Sequence, residues 1–435
     1  MAQPLTILKN RIGSDWIAGI QTEGLIQLVE QRYQELLQHK APRVLIAARN
    51  PIQFLASFIA ACSAPCHGFL CNPDWQESEW QQVSQIVKPT LIWGEAAIGI
   101  NPEAETSDLP PNLIMIPTGG TSGKIRFAMH TWETLVASAS GFQHYFGVDQ
   151  INAFCVLPLY HVSGLMQAVR SLVSKGRLII STGKTLNTHV DPHDFFISLV
   201  PTQLERLKPE WQWLSQFKTI LLGGAPAWNE LLIAARSHQL PIALTYGMTE
   251  TASQIATLKP LDFLAGEQNC GFVLPHATIH IDSQTQALSI AAKSLMLGYY
   301  PTRSNSVYEP DDLAYFDDRG YLHIVGRSSN KIITGGENVF PIEIEAAIRA
   351  TGLVIDVCVI GVSDPTWGQS VSAIYVPKDQ TVTMETLAIA LSTRLVKFKQ
   401  PKTWIKTSQI PRNAQGKINL DAIRQLFEKS GIPIG

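Results

Sequence analysis

Leu113-Ile114-Met115-Ile116, then Pro117, then Thr118-Gly119-Gly120-Thr121-Ser122-Gly123-Lys124: an apolar run opens directly into a loop of small, hydroxyl-bearing residues. Four consecutive apolar residues bounded by turn formers read as a buried strand. A glycine-rich loop at its end suits phosphate, because glycine lets the backbone approach closely while amide N–H groups and hydroxyls donate to anionic oxygens. It is not a P-loop of the G-x-x-x-x-G-K-[ST] kind. Thr118 stands where the first glycine should be, and Ile125 where the metal-binding hydroxyl should be.

The same strand signature recurs on both sides. Arg43 to Ala48, Thr90 to Trp93, Ala153 to Leu157, Arg177 to Ile180, Thr219 to Leu222 and Ile242 to Leu244 are short apolar runs, and Gly164 to Lys175 and Asn229 to His238 have helical spacing between them. Continuous rather than alternating apolar strands separated by helices predict an α/β fold with mostly parallel sheets flanked by helices. Such sheets bind ligands beyond the carboxyl ends of their strands, where Thr118, Gly223 and Tyr246 fall. A boundary near Gly326-Arg327 divides a large portion, 1–326, from a small α+β portion, 327–435. The latter should hold a helix from Pro341, strands at Val357 to Val362 and Ser372 to Val376, a helix from Met384 to Val396, a strand at Trp404-Ile405 and a last helix from Leu420.

Composition excludes several function classes. With 34 basic against 36 acidic residues the net charge is −2, so no broad attraction to nucleic acid or an anionic membrane is implied. No apolar run approaches the roughly 18 residues of a membrane span, and Met1-Ala2-Gln3-Pro4 does not begin a signal peptide, so a cytoplasmic location is expected. Six cysteines do not form a disulfide framework. Cys62, Cys66, His67 and Cys71 make a C-x₃-C-H-x₃-C cluster, but zinc knuckles are spaced differently and the flanking residues are apolar, so buried structural cysteines are expected.

Three further motifs follow the glycine loop in order: Thr245-Tyr246-Gly247-Met248-Thr249-Glu250-Thr251, Gly326-Arg327 running to Thr334-Gly335-Gly336-Glu337-Asn338, and Pro411-Arg412-Asn413-Ala414-Gln415-Gly416-Lys417. Together they resemble the acyl-adenylate-forming superfamily of acyl-CoA synthetases, luciferases and peptide-synthetase adenylation domains, from about residue 113 to the C-terminus. Within it the chain is most similar to the o-succinylbenzoate–CoA ligases, on Pro158-Leu159-Tyr160-His161-Val162-Ser163-Gly164-Leu165, on Tyr246 to Ile255, and on Phe398-Lys399-Gln400-Pro401. The resemblance implies ATP, Mg²⁺ and coenzyme A as cofactor and co-substrates, a small carboxylic acid as substrate, and a mobile C-terminal lid. Oligomeric state is not legible.

Residue roles carry over position by position. Thr118, Gly119, Gly120, Thr121, Ser122, Gly123 and Lys124 would wrap phosphates. Gly223, Gly224, Ala225, Pro226, Tyr246 and Gly247 would line adenine, and Thr249 would touch the α-phosphate. A hard carboxylate oxygen suits Mg²⁺, which points to Glu250 as metal ligand. Asp312, with two acceptor oxygens, would grip the ribose hydroxyls, assisted by Arg327. The family's Thr-Gly before that Asp is Pro310-Asp311 here, so Asp311 competes for the register. Lys417 is implied for adenylate formation, and Gly335, Gly336 and Glu337 for closing on coenzyme A. Ser329 stands where the family hinge carries Asp or Lys.

For the acid, helical spacing puts Ser163, Gln167 and Arg170 on one side of the segment after His161, and a cation facing a pocket is what a second carboxylate requires. By resemblance His161 gates the pocket mouth, no partner His or Cys standing at metal-ligand spacing, and Ser253 and Gln254 belong to the same acid site. The loop after Gly123 lacks the usual x-Pro-Lys-Gly, leaving Lys124 or Arg126 to meet the β- and γ-phosphates. Alternatives are a synthetase for another aryl or fatty acid, favoured by a pocket without a distal cation, and a non-catalytic nucleotide or CoA binder, which should lack Glu250 or Lys417.

Overall fold

The computed structural model describes residues 2–101, 109–119, 124–181, 188, 190–304, 306–412 and 418–432. Two sheets organise the large portion. The first orders its strands Leu91–Gly94, Arg43–Ala47, His67–Leu70, Leu113–Gly119 and Ile125–His130. All are parallel except the last, which returns antiparallel to Leu113–Gly119 with Thr118 opposite Arg126 and Gly119 opposite Ile125. The second has seven strands, in the order Phe272–Val273, Ser253–Thr257, Ile242–Met248, Thr219–Leu222, Phe195–Leu199, Asn152–Cys155 and Leu178–Ile180. Its last five are parallel and its first two antiparallel.

The apolar runs exist because both faces of these sheets are covered. All five residues of Arg43–Ala47 and all four of Thr219–Leu222 are buried. Helices Pro51–Ser63, Trp132–Phe146 and Val162–Val173 join the two sheets in one core through Phe58, Ile59, Leu135, Leu165 and Met166. Trp211, Trp213, Phe217 and Leu231 fill a second core on the seven-stranded sheet. All six cysteines are free; Cys62, Cys66 and Cys71 are buried, and among the described residues no cluster of metal-ligating side chains forms. No helix among them is long and apolar enough to cross a membrane.

After Arg327 a separate sheet begins, ordered Glu337–Val339, Ile332–Thr334, Gly368–Pro377 and Val354–Asp364, with Thr403–Lys406 also paired to Gly368–Pro377. Helices Pro341–Arg349 and Met384–Leu391 cover one face and Leu420–Lys429 the other, each over its own core. The helix from Met384 stops at Leu391, short of the expected Val396, because Ser392 turns back on Ala388 and Ile389.

One close approach fixes how Trp132–Phe146 packs. A Cβ on Gly141 would lie 1.9 Å from Nδ1 of the buried His276 ring. Gly141→Ala should therefore overpack this contact and cost about 1–3 kcal/mol, read as a lowered denaturant midpoint at unchanged m-value. An unchanged midpoint would show that helix and ring are not in contact in solution.

Candidate active site

Strand Ile242–Met248 reverses into Ser253–Thr257 through a 3₁₀ turn, Thr249–Thr251, and this reversal gathers most of the predicted residues. The ladder register shifts between Tyr246 and Gly247, a bulge of the kind that re-aims side chains beside sites. Ala252 and Ser253 both hold positive φ, 51° and 107°, conformations that cost on the order of 1–3 kcal/mol each outside glycine. Their surroundings impose it. Thr251 Oγ1 donates to the Ser253 carbonyl at 2.7 Å, and Ser138 Oγ to the Ala252 carbonyl at 2.8 Å. Behind the turn His130 is buried, which lowers its pKa to about 4, so its ring is neutral at pH 7 and Nε2–H donates to the Thr249 carbonyl at 2.8 Å.

The first part of the cluster is built on Tyr246 and Asp312. The Tyr246 hydroxyl donates to Asp312 Oδ2 at 2.6 Å; burial and that negative charge push the phenol pKa up. Arg327 Nε donates to Asp312 Oδ1 at 3.3 Å from the opposite strand, the two residues being register partners in the pair Asp312–Phe316 and Leu322–Arg327. Asp311 has a different task. Exposed, it accepts from the Ser329 amide at 3.1 and 3.2 Å and takes Ser328 N on its carbonyl, capping the turn where the small sheet begins. Gly223 follows the end of the neighbouring strand, with Gly224, Ala225 and Pro226 exposed beyond it.

Glu250 is buried in the turn. Its carbonyl accepts from Met296 N at 2.8 Å, and its Oε1 accepts from the Tyr299 hydroxyl, which lies 3.3 Å from that of Tyr308. Strand Leu113–Gly119 runs beside the turn, carrying half-buried Thr118. Among the described residues Oε2 makes no protein hydrogen bond, and no cluster of three or more metal-ligating side chains includes Glu250. One carboxylate with a spare oxygen fits Mg²⁺ arriving on a nucleotide, since that ion keeps waters and phosphate oxygens for most of its shell. Lys124 is exposed; Gly120, Thr121, Ser122, Gly123 and Lys417 lie outside the described residues.

The third part is cationic. His161 caps helix Val162–Val173 with its ring edge-on to Tyr160, and Ser163 follows, its carbonyl accepting from Gln167 Nε2 at 3.0 Å. Arg170, two turns along, is 3 % exposed rather than on the surface. One nitrogen, Nη2, donates to Ser253 Oγ at 2.8 Å and Gln254 Oε1 at 3.2 Å, and the guanidinium lies 4.3 Å over the Phe142 ring. Burial lowers its pKa to about 9, so it stays charged at pH 7, yet among the described residues no carboxylate pairs with it. Arg170 Nε, Gln167 Oε1 and both nitrogens of His276 lack protein hydrogen bonds.

Sequence reasoning missed His276, Tyr299 and Trp367. None sits in a motif that was read; only folding brings the first two against Gly141 and Glu250. Trp367, 49 % exposed, lies against Gly335, whose φ is +60° and whose absent Cβ would come within 2.8 Å of the indole. Gly335, Gly336 and Glu337 are exposed on the small unit's hairpin and, among the described residues, make no hydrogen bond to the Glu250 or Asp312 groups.

Comparison with known proteins agrees with this layout. The family described as "AMP-binding enzyme" matches residues 95–300, and "AMP-binding enzyme C-terminal domain" matches 343–417. A 2-succinylbenzoate–CoA ligase of Bacillus cytotoxicus is 31 % identical over 90 % of this chain and 89 % of its own; one of Listeria monocytogenes is 31 % identical over 75 % and 72 %. The chain belongs to the AMP-binding enzyme family. Its fold is that of o-succinylbenzoate CoA synthetase from Bacillus subtilis in complex with an acyl-adenylate intermediate, with TM-score 0.86 at 22 % identity over 98 % of each chain. ATP-bound MatB from Rhodopseudomonas palustris is nearly as similar, with TM-score 0.84 at 21 % identity over 98 % of this chain and 99 % of that one.

Glu250→Gln keeps the shape of this AMP-binding site and removes its charge. It should slow ATP–pyrophosphate exchange by about 10²-fold or more, the size of losing one preorganised electrostatic contributor. Near-normal exchange at limiting Mg²⁺ would remove Glu250 from the metal site.

Proposed function

We propose that the chain is a 2-succinylbenzoate–CoA ligase that works in two steps. In the first, a carboxylate oxygen of the acid attacks the α-phosphorus of ATP and pyrophosphate leaves; in the second, the coenzyme A thiol attacks the acyl carbon and AMP leaves. Tyr246 and the Gly223 to Pro226 segment would take adenine, Asp312 and Arg327 the ribose, Thr249 the α-phosphate, and the Thr118 to Lys124 loop the remaining phosphates. Mg²⁺ held at Glu250 would neutralise charge on the phosphate oxygens. Lys417 would serve the first step, and Gly335, Gly336 and Glu337, walled by Trp367, would receive the pantetheine arm, with His161 gating the acid pocket.

The observation that carries the choice of acid is the buried charge of Arg170, to which no carboxylate among the described residues is paired. An isolated buried cation is costly, and a bound anion relieves that cost. The reacting carboxylate must lie at the α-phosphate, so Arg170, with Ser163, Ser253 and Gln254 around it, is left for a second carboxylate. A fatty or simple aryl acid would leave the guanidinium uncompensated. The 2-succinylbenzoate–CoA ligases at 31 % identity support the same choice. The thioester would feed menaquinone or phylloquinone synthesis in the cytoplasm, a location in keeping with six free cysteines. Residues 1–326 and 327–435 would be the two domains, the second acting as a lid that turns at the Asp311-capped residues Ser328 and Ser329.

Arg170→Ala should raise KM for o-succinylbenzoate about tenfold to a hundredfold, the worth of a charge-assisted contact of roughly 1.5–3 kcal/mol, and leave KM for ATP near wild type. Equal loss on a monocarboxylic aryl acid would mean the arginine supports the wall rather than reading a carboxylate. Lys417→Ala should abolish adenylate formation while thioester formation from pre-made acyl-adenylate continues. Parallel loss of both steps would contradict a division of labour between faces of the lid.

A further inference from the structure

The glycine loop of this chain continues Lys124-Ile125-Arg126-Phe127, and the structure treats the two cations differently. Both are exposed, but Lys124 has no ring or carboxylate partner among the described residues. Arg126 lies opposite Thr118 in the ladder, and its guanidinium sits 4.1 Å over the Tyr299 ring. No carboxylate pairs with it among the described residues. Its charge is therefore oriented without being neutralised, which an aromatic face accomplishes and an ion pair does not.

Tyr299 is itself fixed. Ala128 bridges to it antiparallel, Met129 N donates to the Gly298 carbonyl at 2.9 Å, and Tyr300 N donates to the Phe127 carbonyl at 2.9 Å. The segment is thus stitched to the strand that carries Arg126. On the other side Met296 N holds the Glu250 carbonyl, and the Tyr299 hydroxyl holds Glu250 Oε1. One half-buried phenol therefore touches the cation with its face and the metal-binding carboxylate with its edge.

We propose that Tyr299 is a positioning residue for adenylation: it sets the gap between the Arg126 guanidinium and the Glu250 carboxylate, and the pyrophosphate part of ATP occupies that gap. Arg126, not Lys124, is then the cation that meets the leaving pyrophosphate. The arrangement also serves the metal, because a carboxylate whose one oxygen is tied to a phenol presents the other in a fixed direction. This inference rests on the adenylation reading of the site.

The test uses the full chain and three variants, Tyr299→Phe, Arg126→Gln and Arg126→Lys. Tyr299→Phe keeps the ring under the guanidinium and removes the hydroxyl that donates to Glu250 and lies 3.3 Å from that of Tyr308. Titrating Mn²⁺ into enzyme with ATP, followed by electron paramagnetic resonance, should show about tenfold weaker metal binding than wild type, the usual cost of losing a group that orients a metal ligand. Pyrophosphate exchange should fall with it, with the deficit narrowing as Mg²⁺ is raised. Arg126→Gln should raise KM for pyrophosphate in the reverse reaction about tenfold, and Arg126→Lys should restore much of it. All three should still form thioester from pre-made acyl-adenylate, a step without pyrophosphate. Wild-type metal binding by Tyr299→Phe, or loss of both half-reactions together, would overturn the positioning role. An unchanged pyrophosphate KM in Arg126→Gln would overturn the assignment of the cation. A wild-type chain that exchanges no pyrophosphate with any acid would instead overturn the adenylation reading, and this proposal with it.

Discussion

The reversal from Met248 to Ser253 is the constraint on which the rest of the site depends. Six residues turn a buried parallel strand into an antiparallel one, and in doing so direct Tyr246 toward Asp312, Glu250 toward Tyr299, and Ser253 and Gln254 toward Arg170. Two adjacent positive φ values at non-glycine residues are unfavourable locally. They persist because Ser138, His130 and Thr251 each hold a carbonyl of the turn from a different direction. Strain of this kind spends packing energy on geometry, and a site binding nucleotide, metal and acid at once has reason to do so.

Much of the layout was legible because it follows from local chemistry. Thr219 to Leu222 was bounded correctly since a short apolar run between turn formers has few other fates in a covered sheet. Ile242 to Leu244 is too short a span: the strand runs on through Thr245 to Met248, where Thr245 and Gly247 interrupt the apolar run. Strands His67–Leu70 and Phe195–Leu199 escaped notice, the first beginning with a histidine whose Nε2 meets the Pro110 carbonyl. Arg170 was legible as a helical neighbour of Ser163, but its depth was not, because nothing in local spacing tells a buried arginine from a surface one. His276 and Tyr299 were not legible: each acts through a partner more than a hundred or nearly fifty positions away.

The two aspartates at the junction show how one position separates two tasks. Asp312 lies in a strand facing inward, so its carboxylate meets Tyr246 and Arg327; Asp311 precedes the strand and faces out, so its carboxylate is free to cap backbone amides. Strand alternation alone gives neighbours opposite faces. The Arg327–Asp312 pair is a salt bridge in the chain as it stands, and Arg327 is the more exposed partner. A partly solvated arginine contributes little to stability. It can exchange its carboxylate for another acceptor at small cost, which a buried bridge would not allow.

Arg170 is the opposite case. Its surroundings offer neutral acceptors on one nitrogen, an aromatic face, and a histidine whose pKa burial and the arginine's charge together lower to about 4. A carboxylate at the His276 position would have neutralised the arginine and strengthened the fold, leaving nothing for a ligand to add. A neutral imidazole keeps the cation buried and unsatisfied. The free chain bears the desolvation of that charge in advance, so an incoming carboxylate gains the attraction without driving the arginine out of water, while a ligand that presents only carbon there recovers none of it. On the proposed function, selectivity for a second negative charge would thus arise from a buried group for which no described residue supplies a counter-ion.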